Sequence, residues 1–377
     1  MKKFAALFLI AALLFTSGCW DYKVIDDLAL IFAIGIDQED TDPEKIIVSM
    51  NNPAFEEEAE EPVVRTSVTG YSVQQALMNA QVQRNRALAL GKLSVLIFSE
   101  ETAKNGNMHK ALQHLEQVQD VDPSSWVCIV RGSTAQQVLY LSPPEQPRAA
   151  IYLTELLDIS FNEGRVPRVL LFRYWFDSVK EEKAPVIPII NITKGEEENK
   201  RVVVAGLAAI DAQGRMAGEF TDAEMLIYKV LKDEILRGRY YTHIDYAEES
   251  RLVTSMIKNI NRNIKTEIVN GEPVINLEIR IDLNITDIDL TLESKFEEEI
   301  FRDLELALSR DFQGNILEFL EKTQEWETDV VGLGQFMRIQ NPQWFRNRNW
   351  TKDYGNSEIN VETEVRLKSI GTMVNPR

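Results

Sequence analysis

Histidine and cysteine are nearly absent from this chain of 377 residues, which holds only His109, His114 and His243 of the first and Cys19 and Cys128 of the second. That shortage limits the chemistry available. His109 and His114 stand five apart on a stretch of helical spacing, where roughly 500° of turn leaves them about 140° apart in azimuth, so they do not converge on one metal ion. A nucleophile elbow, a phosphate-binding glycine loop and a metalloprotease helix are all missing, and Gly332, Leu333 and Gly334 lack the third glycine and the preceding strand of a dinucleotide site. These absences argue against a histidine- or metal-dependent hydrolase and call for no cofactor. Cys128 lies in the apolar run Trp126 to Val130, the setting of a small buried hydrophobe rather than a reactive thiol. With Cys19 used as described below, no disulfide framework remains, and the fold must rest on its cores.

Positive charge is also scarce: 41 Lys and Arg against 59 Asp and Glu give a net charge of −18. Phosphate attraction, which supplies non-specific nucleic-acid binding, has the wrong sign here, so nucleic acid is excluded as a partner. Carboxylates are abundant enough that some close pair is inevitable, and a glycosidase-like pair cannot be singled out from a solvated acidic surface.

One apolar run stands apart. Lys2 and Lys3 precede twelve apolar residues, Phe4 to Phe15, followed by Thr16, Ser17 and Gly18 and then Cys19. At about 1.5 Å per residue the run reaches roughly 18 Å as a helix, short of the roughly 30 Å hydrocarbon core. The order of zones is that of a secretory signal peptide, 1–18, cleaved after Gly18. A cysteine directly after small residues is the acceptor pattern for lipid transfer, with Thr16 in place of the usual leucine, so Cys19 is expected to carry the anchor. Two acyl chains hold a protein on a bilayer where one is marginal. Loss of the leader would lower the net charge from −18 to −20.

The remaining length exceeds what one core usually serves. Residues 19–193 read as an N-terminal α/β region, of one domain or of two with the acidic stretch 53–62 as the linker. A linker follows at 194–200, and 201–377 forms a C-terminal α+β domain. Leu28 to Ile36, Ile46 to Met50, Leu93 to Phe98 and Trp126 to Val130 are apolar runs of strand length, separated by helical patterns behind the caps Ser72, Ser99 and Thr134. Asp211 to Gly214 make a hairpin turn, and Thr221 with Glu224 a capping box. Ile275 to Ile285 and Ile359 to Leu367 alternate strictly, with one wet face each. Phe296, Ile300, Leu304, Leu308, Phe312, Ile316 and Leu320 recur every four residues, predicting a long helix near 293–325 that Gly314 could bend. The aromatic group Phe172, Tyr174, Trp175, Phe176 reads as a core element, with a ligand wall or partner anchor as the alternative. The fold class expected is α+β with mixed α/β character and multi-domain, three domains in number, with largely antiparallel sheets and helices packed on one face.

Several blocks resemble the Ger(x)C lipoproteins, the C subunits of nutrient germinant receptors in spore-forming bacteria. Gly18, Cys19, Trp20, Asp21 run into Ile25 to Ala29 and then Ala33, Ile34, Gly35, Ile36, Asp37. The likeness resumes at Ala205 to Ala208, and it is strongest in Asp329, Val330, Val331, Gly332, Leu333, Gly334, followed by Pro342, Trp344 and Trp350. The resemblance implies a lipid-anchored, non-enzymatic subunit on the outer surface of the spore inner membrane. It would act with a membrane-spanning A subunit and a transporter-like B subunit, a partner subunit binding the small-molecule nutrient. No catalytic residue carries over; Cys19 does, as lipid acceptor, with Trp20, Asp21, Gly35, Asp37, Gly332 and Gly334 as structural signatures. A lipid-anchored solute-binding protein with a cleft beside Trp175, and an exported cell-wall hydrolase, are the competing readings.

Overall fold

Apolar runs bounded by turn residues become the strands of a first sheet in the computed structural model, which describes residues 24–53, 63–118, 120–143, 145–193, 200–232, 238–246, 249–288, 297–371 and 373–374. The leader, Cys19, Trp20 and Asp21 lie outside the described residues, as do 54–62, 194–199 and 293–296. The strands are β1 (Leu28–Leu30), β2 (Ala33–Gln38), β3 (Ile46–Pro53), β4 (Val63–Gly70), β5 (Ala87–Ala89), β6 (Val95–Ser99), β7 (Trp126–Val130), β8 (Val186–Ile192), β9 (Val202–Ile210) and β10 (Met216–Phe220). Eight of them line up as β10-β9-β8-β7-β6-β2-β3-β4, while β1 and β5 pair separately. Neighbours from β2 through β6 and β7 to β8 are parallel, and the flanking pairs are antiparallel.

The acidic stretch at 53–62 and the linker-like stretch at 194–200 each join hydrogen-bonded neighbours, β3 to β4 and β8 to β9. The first sheet therefore continues past residue 200, to the end of β10.

Seven helices accompany this sheet: α1 (Val73–Gln81), α2 (Glu100–Lys104), α3 (Asn107–Glu116), α4 (Ala135–Tyr140), α5 (Ala149–Asn162), α6 (Leu171–Ser178) and α7 (Asp222–Lys232). Ser72, Ser99 and Thr134 cap α1, α2 and α4 through their side-chain oxygens, as expected. The layering expected from the sequence, helices on one face, does not describe this sheet. Ile34, Ile36, Leu96 and Phe98 pack with residues of α1 and α3, whereas Ala33, Val95, Ile97 and Cys128 pack with Val138 of α4 and Leu153 of α5. Because both faces are covered, β6 and β7 are buried at every position and show no alternation. Cys128 is fully buried, and burial pushes its thiol well above the usual range.

The second sheet runs β11 (Gly238–Tyr246), β12 (Glu249–Val269), β13 (Glu272–Ile288), β14 (Glu358–Ile370), β15 (Met373–Val374) in that order. Asn270 and Gly271, both with positive φ, close the hairpin between β12 and β13. β13 and β14 are parallel, a pairing made possible by the long crossover through α8 (Glu297–Glu325), α9 (Leu333–Gln340), α10 (Pro342–Phe345) and α11 (Trp350–Gly355). The alternating residues behave as expected: Ile275, Leu277, Ile279, Ile281 and Leu283 are buried, as are Leu304, Leu308, Phe312, Ile316 and Leu320 of α8. Gly314 does not interrupt that helix.

α8 also joins the two sheets. Phe220, at the end of β10, stacks on Phe319 (4.6 Å between centroids) and lies 5.1 Å from Trp326. Lys322 donates to the carbonyl of Glu219 (2.9 Å) and pairs with Glu224 (2.8 Å), the residue whose carboxylate completes the capping box with Thr221. One apolar cluster consequently runs through both sheets.

The outer edge of β14 is covered by side chains. Glu305 accepts from the Leu367 N–H (2.8 Å), Ser309 from the Val365 N–H (2.9 Å), and Gln313 donates to the Val361 carbonyl (2.8 Å). These three residues are spaced by four on α8, so one face of the helix follows the strand edge and satisfies groups that would otherwise invite another strand. Ser309→Ala is expected to lower unfolding stability by about 1 kcal/mol. The combined Glu305→Ala, Ser309→Ala, Gln313→Ala variant should also self-associate in light scattering, and a monodisperse triple variant would show that the edge needs no cover.

Candidate functional site

Two aspartates in the sequence blocks singled out above end up buried at helix N-termini. Asp37, at the end of β2, is 4% exposed and accepts from the N–H groups of Ala135 (2.6 Å) and Gln136 (2.9 Å), while Thr134 and Gln137 complete a capping box on the same turn. The first N–H groups of a helix have no partner within it, so a carboxylate placed there satisfies them and complements the helix dipole. Gly35, two residues earlier, makes room: a methyl group on it would come within 3.0 Å of both Ala135 Cβ and Leu139 Cδ1.

Asp329 repeats the device at the turn after α8. Its Oδ1 accepts from Gly332 N–H (2.6 Å) and Leu333 N–H (3.0 Å), and its Oδ2 from Gly334 N–H (2.7 Å) and the indole Nε1 of Trp350 (2.9 Å). Gly332 sits at φ +83°, in the left-handed region that admits glycine without strain. Gly334 lies under Trp350, where a side chain would overlap the indole. The Asp329 carbonyl in turn accepts from Ala184 N–H (2.8 Å), which leads into β8. Burial pushes both carboxyls above their ordinary range, and the converging N–H donors pull them back.

A cavity of about 410 Å³ opens beside Asp329, between the first sheet and the α9–α11 region. His109, Tyr174, Lys183, Asp211 and Trp350 contribute to its wall. His109 Nδ1 lies 2.8 Å from the Tyr174 hydroxyl; burial lowers the imidazole pKa against the opposing pull of Asp211, and burial raises that of the phenol. Lys183 forms a buried ion pair with Asp177, which Lys180 also approaches at 3.3 Å. The Ser178 hydroxyl donates to the Trp175 carbonyl (3.0 Å). Within the wall, Lys183 and Lys180 are thus paired with Asp177, and Asp211 pairs with Arg215 (3.0 Å). Among the described residues no three of His, Cys, Asp or Glu gather in a geometry for a metal ion.

Of the signature residues, Gly35, Asp37, Gly332 and Gly334 are placed in packing and capping roles, whereas Cys19, Trp20 and Asp21 lie outside the described residues. The sequence places Asp329 at the head of the second block and Trp350 after it but marks only the two glycines as signatures; an acidic residue three positions before a glycine that opens a helix is the signal for the capping role. The aromatic group at 172–176 divides. Tyr174 is buried and Trp175 packs partly against the core with its Nε1 on the Leu112 carbonyl, but Phe172 and Phe176 are 48% and 59% exposed. An eight-residue surface helix turns only one face inward, and positions 172 and 176 share the other.

Residues 21–192 match the family described as the spore germination protein N-terminal domain, and residues 205–371 the one described as spore germination B3/GerAC-like, C-terminal. This chain is a Ger(x)C family protein. The boundary between the two matches falls between β8 and the middle of β9, so the family's two sequence halves share the first sheet. Relatives over nearly the whole length include spore germination protein KC of Bacillus subtilis, 20% identical over 100% of this chain and 97% of its own. Spore germination protein GerQC of Bacillus cereus is 23% identical over 97% and 98%. Among solved structures, the GerBC protein matches with a TM-score of 0.60 over 89% of this chain and 96% of its own, at 16% identity, a likeness of fold.

In this Ger(x)C chain Gly332→Val should cost at least about 1–2 kcal/mol, the penalty of a left-handed residue bearing a side chain. Asp329→Asn should cost about 1–3 kcal/mol by turning an amide donor toward backbone N–H groups. Both are read from denaturant midpoints, with Trp350 reporting in near-UV circular dichroism; unchanged midpoints would contradict the capping role.

Proposed function

We propose that this protein is the lipid-anchored, non-enzymatic C subunit of a nutrient germinant receptor, held through Cys19 on the outer surface of the spore inner membrane. There it acts with a membrane-spanning A subunit and a transporter-like B subunit, and a partner subunit binds the nutrient. The observation that carries this reading is the pair of family matches, 21–192 and 205–371, the first beginning two residues after the expected acceptor Cys19. The names of the relatives, spore germination proteins KC, GerQC and B3, point to the same process. Non-enzymatic action is consistent with the use of Asp37 and Asp329: both buried carboxylates are engaged by backbone N–H groups at helix N-termini, a structural role. Among the described residues no helix is long and apolar enough to cross a membrane, which leaves localisation to the tether.

The cavity between the first sheet and the α9–α11 region favours the second reading, a lipid-anchored solute-binding protein. Calorimetric titration of the purified protein with nutrient amino acids and sugars separates the two. The receptor reading expects no saturable binding at millimolar concentration, and saturable binding would favour the second.

Cys19→Ala should abolish metabolic labelling by an alkyne fatty acid, leave the unfolding midpoint of the body unchanged, and slow nutrient-triggered germination severalfold. Wild-type protein that takes up no label, or germination indifferent to the substitution, would refute the tether.

A further inference from the structure

At the N-terminal ends of the parallel strands the backbone forms a hydrogen-bonded row. Ser94 N–H donates to Phe32 (2.8 Å), Trp126 N–H to Ser94 (2.8 Å), and Leu171 N–H to Ser125 (2.8 Å). The segment leading from residue 24 and the start of α6 therefore lie at the same end of the first sheet, about 15 Å apart at three strand spacings. The segment bearing α6 also finishes there, because β8 begins level with Trp126 when Ile129 is paired with Ile189. Val82 belongs to this end too: the neighbouring Gln81 side chain bonds Arg86 and Leu88, and β5 pairs with β1.

Five large apolar side chains are exposed toward this end: Ile25 (66%), Val82 (84%), Phe172 (48%), Phe176 (59%) and Val179 (80%), the last of them also on the rim of the cavity beside Trp350. Phe172, Phe176 and Val179 follow at i, i+4 and i+7, on the outward side of α6, while Leu171 and Tyr174 face the core. The opposite end of β2 leads into a loop with Glu39, Asp40, Asp42 and Glu44.

We propose that the N-terminal end of the first sheet rests on the bilayer, with Phe172, Phe176 and Val179 seated at the lipid headgroup layer and Ile25 and Val82 beside them. This inference rests on the reading of Cys19 as the lipid acceptor. Leu28 lies nine positions after Cys19, at most about 30 Å of extended chain. Whatever path this stretch takes, the end of the sheet that β1 joins stays within that reach of the membrane, and it carries the exposed Phe172, Phe176 and Val179. A lipid surface is the occupant this geometry presents at high effective concentration. Arg168 lies 3.9 Å from Asp158, while Asp177 is shared by Arg173 (3.7 Å), Lys180 (3.3 Å) and the buried Lys183, so Arg173 and Lys180 keep cationic character beside the apolar side chains. The apolar contact is the part of the attraction that persists in salt and on uncharged lipid, and it is too small to hold the body without the tether.

The test uses the full acylated protein reconstituted in phosphatidylcholine vesicles that carry a spin-labelled quencher near the headgroups. An environment-sensitive fluorophore is placed on Val179→Cys or, at the opposite end of the sheet, on Glu44→Cys; Cys128 is buried and Cys19 acylated, so only the introduced thiol reacts. Quenching at position 179 should exceed that at 44 severalfold and persist in high salt. Adding Phe172→Ser with Phe176→Ser should reduce it to the level at 44, with the unfolding midpoint unchanged and flotation with vesicles retained. Flotation without quenching at 179 overturns the docking face and leaves the tether standing. Shielding at 179 that appears only when spore integral membrane proteins are co-reconstituted marks a protein contact and also overturns it. Failure to float overturns the tether and the docking face together.

Discussion

Asp329 holds together segments that are distant along the chain. One carboxylate receives three backbone N–H groups from the turn that opens α9 and the indole N–H of Trp350 at the start of α11, while its own carbonyl receives Ala184 ahead of β8. The end of α8, the start of α9, the return toward β14 and the lower end of the first sheet are thus fixed relative to one another by one residue. A buried carboxylate without these donors would be costly, and the donors without it would be unsatisfied at a helix end. Each needs the other, which ties the turn to a single conformation.

The same solution at Asp37 explains why both family blocks combine an aspartate with a nearby glycine. The carboxylate draws the helix N-terminus close, and the glycine removes the side chain that would keep packed elements apart: Gly35 beneath α4, Gly334 beneath Trp350. These residues do positional work. α8 adds to the rigidity, closing the edge of β14 with Glu305, Ser309 and Gln313 and packing Phe319 and Trp326 on Phe220 of the first sheet.

Much of this was legible in the sequence because the relevant patterns are local. The period of two from Ile275 to Ile285, the period of four along α8, the caps at Ser72, Ser99 and Thr134, and the Thr221 and Glu224 capping box each depend on a few neighbouring residues. The Asn270 and Gly271 hairpin was equally local and was missed, and β12 with it, because Asn259, Asn261 and Asn263 interrupt the run as polar residues of low strand propensity. What is not legible depends on pairing at a distance. Val95 to Ser99 reads the same whether its neighbours are parallel or antiparallel, and only the covering of both faces accounts for its lack of alternation. The stretch 194–200 has a linker's composition yet connects adjacent strands, since composition reports solvation and not which strands pair. Asp329 was visible as part of a motif, but the four donors that converge on it come from a turn and from a tryptophan 21 positions away.

On the function proposed above, this protein works as a fixed partner of integral membrane proteins. Isolation of the acylated protein from spore membranes in mild detergent, followed by identification of what accompanies it, tests this. Two integral membrane proteins in constant proportion are expected, one with a large soluble head and one of transporter type. Recovery of the acylated protein alone, or with a solute-importing permease only, would contradict it.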